Sequence, residues 1–264
     1  MRLIAIGDPH GDLEKIRKIP LEGADLILLT GDLGSADLIR KRHFEDMERR
    51  KKGLPTREFS LGEEKAAYME TYNSTIRILK YLSKFAPVYT IFGNADFSYR
   101  DVRGGSNKLG LKLPSLQKET TFFGNFKIMN DKLLKIKGQK IGCLEYFIDV
   151  SWVKDFRPHD FEKRLESAKK ETEKAKKALE KFGKVDILLC HQPPLGILDK
   201  VNNNFVPKDW LGKHAGSKII LDYIKKQQPK YVFCGHIHEG EGMQKLGKTE
   251  IYNLGVAGYK VLDL

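Results

Sequence analysis

The chain has 264 residues, of which 41% are hydrophobic, and this composition can form one large domain with a substantial core. No run approaches the ~20 apolar residues of a membrane helix, and the first residues lack the apolar stretch and cleavage site of a signal peptide. We therefore expect a cytoplasmic protein without a membrane partner. Its formal charge of +12 favours anionic partners such as nucleotides or nucleic acid. The alternative explanation is heat adaptation or solubility, because charged residues make up 31% of the chain, so the charge decides little.

The predicted elements alternate between strands and helices. In chain order they are a strand at 2–6, a short helix capped by Asp12, a strand at 25–30, a polar helix at 36–52, a helix from the Ser60/Glu63 capping box to about 85, a strand at 87–92, a stretch at 97–118 that is mostly loop, a hairpin of 133–137 and 140–144 with its turn at Gly138-Gln139, a surface helix at 158–182, a strand at 185–190, a helix at 217–228, a strand at 230–234, and a terminal hairpin around Gly247-Lys248 with a last short strand. No repeat or linker interrupts this order. The sequence thus predicts a single domain over 1–264 with a helical insertion at about 36–60, which could be a lid or a dimer element.

The chain has three cysteines, Cys143, Cys190 and Cys234, and each lies in an apolar, strand-like run. Their odd number and wide spacing argue against a disulfide framework or a cysteine-rich zinc site. The sequence therefore predicts buried free thiols.

Five short segments follow directly after predicted strands. They are Gly7-Asp8-Pro9-His10-Gly11, Gly31-Asp32-Leu33, Gly93-Asn94-Ala95-Asp96, Cys190-His191-Gln192-Pro193-Pro194 and Gly235-His236-Ile237-His238. The carboxyl ends of strands in α/β sheets are where loops converge into a site, so segments distant in sequence can meet there. Each segment alone is a weak signal, because a His-x-His is more often a surface or structural pair and a Gly-Asp is commonly a turn. Their occurrence together and in this order predicts one common site.

The side chains in these segments are carboxylates, an amide and imidazoles, without a thiolate ligand. Such oxygen and nitrogen donors suit Mn, Fe, Zn, Ni or Co. In Asp-x-His and His-x-His the two side chains leave an extended segment on the same side, so both can face one ion. The glycines before Asp8, Asp32, Asn94 and His236 permit tight turns and close approach of the backbone. The sequence thus predicts a divalent metal site.

With these motifs the chain resembles the calcineurin-like metallophosphoesterases, whose pattern is Asp-x-His, Gly-Asp, Gly-Asn-His-Asp/Glu, a lone His, and Gly-His-x-His. The resemblance spans nearly the whole chain. The second half is similar to the Icc-related predicted phosphoesterases through His191-Gln-Pro-Pro194, Lys213-His-Ala-Gly-Ser217 and Cys234-Gly-His-Ile-His-Glu239. The resemblance implies an α/β fold, namely a four-layer α/β/β/α sandwich with two mixed β-sheets packed face to face.

The resemblance also assigns roles to seven residues at two metal ions, with manganese favoured and Fe, Zn, Ni or Co as alternatives. Asp8, His10 and His238 would hold the first ion, Asn94, His191 and His236 the second, and Asp32 would bridge both. A metal-bridging hydroxide would attack phosphorus in line, and Asp32, Asn94 and His191 would be the catalytic ligands.

One position departs from the family pattern, because Ala95 stands where the family usually has a histidine that assists the leaving group. Loss of a proton donor lowers the rate by ~10²–10⁴ for a poor leaving group. We therefore expect phosphodiesters or activated esters to be preferred to plain phosphomonoesters. Asp96, which normally orients that histidine, is expected to anchor the loop.

Several basic and polar residues near these motifs are candidates for substrate recognition. Arg100 and Arg103 follow one ligand loop and could grip a phosphate, although ordinary loop charges are the alternative. The resemblance makes His214 and Ser217 possible phosphate contacts. Trp210 could stack on a base or serve as a core anchor. His43 and His159 lie in polar helical contexts and are expected at the surface.

Taken together, the sequence favours a dinuclear-metal-dependent phosphoesterase that hydrolyses phosphodiester bonds of a nucleotide-type or other small substrate. The alternatives are a nuclease on DNA or RNA, a general phosphomonoesterase, and a non-catalytic scaffold that keeps the fold. All seven ligand positions are filled by competent residues, which argues against the scaffold. The sequence leaves the physiological substrate, the metal and the oligomeric state open.

Overall fold

The computed structural model describes residues 1–119, 125–203 and 206–264. Within them the strands are β1 (Arg2–Ile6), β2 (Leu26–Leu29), β3 (Val88–Thr90), β4 (Phe126–Ile128), β5 (Lys132–Ile136), β6 (Gln139–Leu144), β7 (Ile187–Cys190), β8 (Tyr231–Cys234), β9 (Gly242–Leu246), β10 (Thr249–Asn253) and β11 (Tyr259–Asp263). The helices are α1 (Leu13–Ile16), α2 (Asp37–Lys51), α3 (Leu61–Leu82), α4 (Tyr99–Leu109), α5 (Leu116–Glu119), α6 (Val150–Phe156), α7 (Phe161–Phe182) and α8 (Lys218–Gln227). No helix of these described stretches is long and apolar enough to cross a membrane.

The described strands form two mixed sheets. A five-stranded sheet has the order β11-β1-β2-β3-β4, in which β11 is antiparallel to β1 and the other neighbours are parallel. A six-stranded sheet has the order β5-β6-β7-β8-β10-β9, in which only the two edge pairs are antiparallel. The parallel strands β1, β2 and β3 are therefore neighbours in one sheet, and β7 and β8 are neighbours in the other.

The alternation of side chains along the strands explains how the layers stack. In β1, Leu3 and Ala5 belong to a core that also contains Ile187 and Leu189 of β7, so these faces of the two sheets pack together. The intervening Ile4 instead packs in a second core with helix α3. Leu188 and Cys190 of β7 do the same with α7 and α8. Helices thus cover both outer faces, and the predicted four-layer α/β/β/α sandwich is confirmed.

Local signals read from the sequence also recur in the structure. Ser60 and Glu63 form the predicted capping box at the start of α3, and the Asp12 side chain accepts a hydrogen bond at the start of α1. The hairpin between β5 and β6 turns at Lys137 and Gly138, whose φ angles of 46° and 81° suit a type I′ turn. The turn lies one residue before the predicted one. That 36–60 is an insertion into a single domain stays a prediction; helix α2 occupies most of that stretch.

The expectation that residues 97–118 are mostly loop is wrong, because helices α4 and α5 lie there. Ser98 and Asp101 form a second capping box, and Gly110 ends α4 with a left-handed φ of 63°. The adjacent Gly104-Gly105 pair weakens helix propensity, but Val102 is buried against Tyr68 of α3 and other apolar residues. Tertiary packing therefore outweighs local propensity. Strand β4 and helix α6 were also not predicted.

Candidate metal centre

The five predicted segments converge on one side of the molecule. The loops after β1, β2 and β3 leave adjacent parallel strands of one sheet, and those after β7 and β8 leave adjacent parallel strands of the other. Because the two sheets pack face to face, the carboxyl ends of these strands bring the loops together. All seven predicted metal ligands are found there.

A first group of donor atoms comes from Asp8, His10 and His238. Their ligand atoms all lie within 4.8 Å of one another. The Nε2 atom of His238 lies 3.2 Å from Asp8 Oδ2 and 3.3 Å from His10 Nε2. Two imidazole nitrogens and a carboxylate oxygen at this spacing, from residues 228 and 230 positions apart, match the ligand set of one small divalent ion.

A second group is centred on His191. Its Nε2 atom lies 2.9 Å from the amide oxygen of Asn94 and 3.7 Å from Asp32 Oδ2. The ring of His236 lies beside it, with the two ring centroids 4.9 Å apart. The donor atoms of Asp8, Asp32 and His191 also lie within 4.8 Å of one another, so Asp8 is close to both groups. These side chains form a second set of oxygen and nitrogen donors next to the first.

Asp32 lies between the two groups. Its Oδ2 atom is 3.8 Å from His10 Nε2 in the first group and 3.7 Å from His191 Nε2 in the second. The side chain is almost completely buried, so water offers its charge little compensation. Its carboxylate therefore lies within 4 Å of a nitrogen donor from each group.

Hydrogen bonds from the protein fix the ligands in place. The Thr30 hydroxyl donates to Asp8 Oδ1 at 2.6 Å, and the backbone N–H of His236 donates to Asp8 Oδ2 at 2.6 Å. The ring atom His191 Nδ1 lies 2.9 Å from the Thr30 carbonyl oxygen and therefore carries the proton. His191 Nε2 is then the ring nitrogen that faces Asn94 and Asp32. Thr30 was not singled out from the sequence, because a buried threonine at the end of an apolar strand gives no signal of its own.

Asp96 joins two of the ligand loops. Its carboxylate accepts hydrogen bonds from the backbone N–H groups of Asp32 and Gly93, each at 2.8 Å, and of Leu33 at 3.0 Å. In return the N–H of Ala95 donates to Asp32 Oδ1 at 2.7 Å. The prediction that Asp96 anchors its loop is confirmed by these contacts. Ala95 still orients Asp32 through its backbone, although its methyl side chain has no polar group.

Two glycines leave the space that the ligands occupy. A Cβ atom on Gly93 would lie 2.2 Å from Asp32 Oδ1 and 2.5 Å from His191 Cε1. A Cβ atom on Gly235 would lie 2.3 Å from Asp8 Oδ1. Any larger residue at these positions would displace ligand side chains, so the glycines are required by close approach.

Three ligand residues have a left-handed backbone. The φ angles of His10, Asp32 and His236 are 44°, 46° and 66°. Non-glycine residues adopt this region at a cost of about 1–3 kcal/mol each, and such strain is concentrated at functional sites. The unfavourable backbone conformation of these three residues thus lowers local stability and directs their side chains into the site.

The electrostatics of the site favour positive charge. Burial lowers the pKa of His236 to about 3, with a further contribution from His191, so His236 is a neutral imidazole with a free lone pair at neutral pH. Burial also lowers the pKa of His191, but Asp32 and Asp8 outweigh it and leave the pKa above its usual value. Burial and the Asp32 charge raise the pKa of Asp96 to about 7. Buried carboxylates without a nearby lysine or arginine ion pair among the described residues suit divalent cations, and the neutral His236 is in the protonation state that such ions need.

The centre opens into clefts lined by other polar groups. One cleft of about 610 Å³ is lined by His10, Asp32 and Ala95 and also by Arg40 and His43 of α2. Arg40 is close enough for its charge to contribute to the lowered pKa of His10, after the larger effect of burial. His43 is exposed, as predicted, yet faces this cleft. The sequence could not indicate that α2 borders the centre.

The four predicted substrate-binding residues have different positions. Arg100 lines a second cleft of about 600 Å³ that also includes Asn94, whereas Arg103 is exposed on α4 and borders none of the described clefts. His214 Nδ1 lies 2.6 Å from the buried carboxylate of Asp199. Ser217 is fully buried, caps α8 and donates to Asp149 Oδ2 at 2.6 Å. This structural role replaces the expected phosphate contact of Ser217, because a fully buried cap cannot reach a substrate.

The chain is similar in sequence to one protein family and to several known proteins. A family model described as calcineurin-like phosphoesterase matches residues 1–240. The chain is 41% identical over 70 residues to a UPF0046 protein of Caenorhabditis elegans, a stretch that covers 26% of this chain and 16% of that protein. It is 40% identical over 73 residues to metallophosphoesterase domain-containing protein 1 of Homo sapiens, which covers 27% and 20% of the two chains. The matched stretch thus spans at most a fifth of these curated relatives.

Solved structures share the fold. One crystal structure aligns with a TM-score of 0.63 at 17% identity and covers 99% of this chain and 94% of the other. A dimetal phosphatase from Danio rerio aligns over 98% of this chain and 88% of its own, with a TM-score of 0.48 and 11% identity. At these identities the first likeness supports the fold alone.

Proposed function

Because the chain belongs to the calcineurin-like phosphoesterase family, we propose that it hydrolyses phosphodiester bonds at a centre of two divalent metal ions. Membership of this family supports the assignment of a metal-dependent phosphoric ester hydrolase. The observation that supports a two-ion centre is the position of Asp32 Oδ2, 3.8 Å from His10 Nε2 and 3.7 Å from His191 Nε2. A carboxylate with a nitrogen donor from each group on its two sides suits a bridging ligand.

In this proposal each donor group holds one ion. Asp8, His10 and His238 hold the first, Asn94, His191 and His236 the second, and Asp32 bridges them. When bound, two such ions lower the pKa of water and offset charge on phosphoryl oxygens. Manganese is the proposed metal, with Fe, Zn, Ni or Co as alternatives, because imidazole and carboxylate sets bind several first-row ions.

The remaining residues set the geometry and protonation of this centre. Thr30 holds the proton of His191 on Nδ1 and orients Asp8, while Asp96 ties the Asp32 loop to the Gly93 loop. Arg40 lines the cleft beside His10 and can pair with a non-bridging phosphoryl oxygen. These groups are in place before the substrate arrives, which limits the reorganisation that the reaction requires.

Ala95 is the basis for proposing a phosphodiester with a good leaving group. Its methyl group offers no proton to a departing alkoxide. His43 lines the cleft and is not one of the proposed metal ligands, so it is the candidate for a weaker proton donor to the leaving group. We expect His43→Ala to slow esters with poor leaving groups more than nitrophenyl esters. Equal slowing of both would contradict a role for His43 as proton donor.

The test of this function is hydrolysis of bis-p-nitrophenyl phosphate against p-nitrophenyl phosphate. The protein is stripped of metal and resupplied with Mn, Ni, Co, Zn or Mg, with Asp32→Ala and His191→Ala as inactive controls. We expect diester turnover that needs both metal and these residues and exceeds monoester turnover. Monoester turnover as fast as diester turnover would contradict the diester preference. If the protein hydrolyses neither ester with any of these metals, the proposed activity is contradicted.

A further inference from the structure

A separate cavity of about 280 Å³ lies beside the proposed metal centre. Its lining includes Asn94 and His236 from the centre and the aromatic residues Trp152, Phe156 and Trp210. Pockets that enclose drug-sized ligands measure about 300–1,000 Å³, so this cavity suits a smaller group, such as one monocyclic or fused bicyclic ring system. Because Asn94 and His236 belong to both the cavity and the proposed centre, the cavity lies where a group attached to the scissile phosphate would extend.

The aromatic residues form an ordered wall. The rings of Trp152 and Phe156 stack at 5.2 Å with an interplanar angle of 17°, and Trp210 packs edge-on against both at 5.7 and 5.2 Å. The indole N–H of Trp210 donates to the Phe156 carbonyl oxygen at 3.1 Å. Trp210 is thus held as an anchor, the alternative considered for it from the sequence. Trp152 is only partly buried and lines the cavity.

An unsatisfied acceptor lies in the same lining. Gln192 is 4% exposed, and its Nε2 donates to the Phe147 carbonyl oxygen at 2.9 Å. That contact fixes the amide orientation, since the flipped amide would face oxygen against oxygen. The Oε1 atom is buried and has no hydrogen-bond partner in the described parts of the chain. Buried acceptors are nearly always paired, so this one calls for a donor from a ligand.

The charges of the lining exclude a second phosphate. Neither a lysine nor an arginine of the described residues lines the cavity, whereas Asp149 and Glu239 do. Both carboxylates would repel a phosphate. The Asp149 oxygens already accept hydrogen bonds from Ser151 and Ser217, whereas the exposed Glu239 can accept from sugar hydroxyls. The occupant should therefore be an uncharged, flat group with a hydrogen-bond donor.

We propose that this cavity binds the heterocyclic base of a nucleotide substrate, with the base against Trp152 and an amino group donating to Gln192 Oε1. The proposal rests on the proposed function, because it places the base next to the phosphoester centre. It narrows the substrate class to nucleotides whose base carries an amino group, such as adenine or cytosine. It also accounts for the unsatisfied amide oxygen of Gln192.

Binding can be measured without catalysis, because both tryptophans of the chain line the cavity. Tryptophan fluorescence of the metal-stripped full chain is titrated with adenosine, purine riboside and ribose. We expect saturable quenching by adenosine, binding by purine riboside that is about 2- to 12-fold weaker since it lacks the amino group, and none by ribose. Purine riboside binding as tightly as adenosine would overturn the contact with Gln192. Absence of saturable quenching by adenosine would overturn the base site.

Variants of Trp152 test the position of the proposed base site. Trp152→Ala should weaken adenosine binding by about 5- to 150-fold because stacking is lost, as measured by the fluorescence of Trp210. Trp152→Phe should retain most of the adenosine affinity. Tyr259→Ala, an exposed aromatic truncation on β11, is the matched control and should bind as the wild type does. Unchanged binding in Trp152→Ala would place the base elsewhere and overturn the proposal. If Trp152→Ala does not fold, the adenosine and purine riboside comparison on the wild type still decides.

Kinetics separate this proposal from the function on which it rests. For Trp152→Ala we expect KM to rise more for a nucleoside p-nitrophenyl phosphodiester than for methyl p-nitrophenyl phosphate, which has no second ring to place against Trp152. Wild-type turnover of bis-p-nitrophenyl phosphate without adenosine binding would overturn the base site alone. Adenosine binding without turnover of any ester would leave the base site standing and contradict the proposed function.

Discussion

Substitution of Gly93 by alanine tests how tightly the ligands are packed. The added Cβ atom would lie 2.2 Å from Asp32 Oδ1, and real Cβ atoms essentially never come closer than 3.0 Å, so the carboxylate, the His191 ring or the loop must shift. Displacing a reacting group by about 1 Å can cost about 100-fold in rate, and overpacking a buried position costs about 1–3 kcal/mol. We therefore expect Gly93→Ala to lower kcat by about 100-fold. Its Tm should fall by about 2–12 °C.

The matched control is Gly104→Ala. Gly104 lies inside helix α4, has an ordinary φ, and a Cβ atom there meets open space. Because alanine favours helices over glycine by about 0.5–1 kcal/mol, this variant should be as stable as the wild type or slightly more stable. The assays are metal-dependent ester hydrolysis and thermal unfolding of both variants. Wild-type activity and Tm in Gly93→Ala would refute the close packing of Asp32 and His191.

Three further predictions follow from the contacts of particular residues. Asp96→Ala should lower the free energy of unfolding by about 2–5 kcal/mol and weaken metal binding, because three backbone N–H groups lose their acceptor; unchanged thermal unfolding would argue against the anchor. Ser60→Ala should cost about 1 kcal/mol, seen as a Tm lowered by about 2–4 °C without loss of activity, and an unchanged Tm would contradict the observed capping box. Burial raises the pKa of Cys143 to about 12 and raises those of the other two cysteines, so a disulfide thiol reagent at pH 8 should label no cysteine until the chain is unfolded; rapid labelling of the native protein would contradict their burial.

The convergence of the seven candidate ligands could be predicted from the sequence, because each of them follows an apolar run that ends in a polar motif. Asp8, Asp32 and His191 each stand just past a strand, and parallel strands bring their ends to one edge. The supporting residues could not be predicted in this way. Thr30 follows directly after the apolar strand β2. Its contact with Asp8 depends on the pairing of β1 with β2, and its contact with His191 depends on the packing of the two sheets.

Elements that depend on tertiary packing were the least predictable. Helix α4 contains a Gly-Gly pair and is stabilised by burial of Val102 and by its caps, so local propensity predicted a loop. The approach of α2 to the centre, which brings Arg40 and His43 into the cleft, depends on how α2 packs beside α3. Spacing along the chain carries no information about such contacts.

The central claim, that seven side chains hold two divalent ions, is tested most directly by counting bound metal. Metal-stripped protein is titrated with Mn²⁺ in a calorimeter, and the stoichiometry is checked by elemental analysis of the saturated protein. We expect two ions per chain in the wild type, and one in His10→Ala, because His10 belongs to the first donor group only. A wild-type stoichiometry of one, or of two that His10→Ala leaves unchanged, would contradict the two-ion centre.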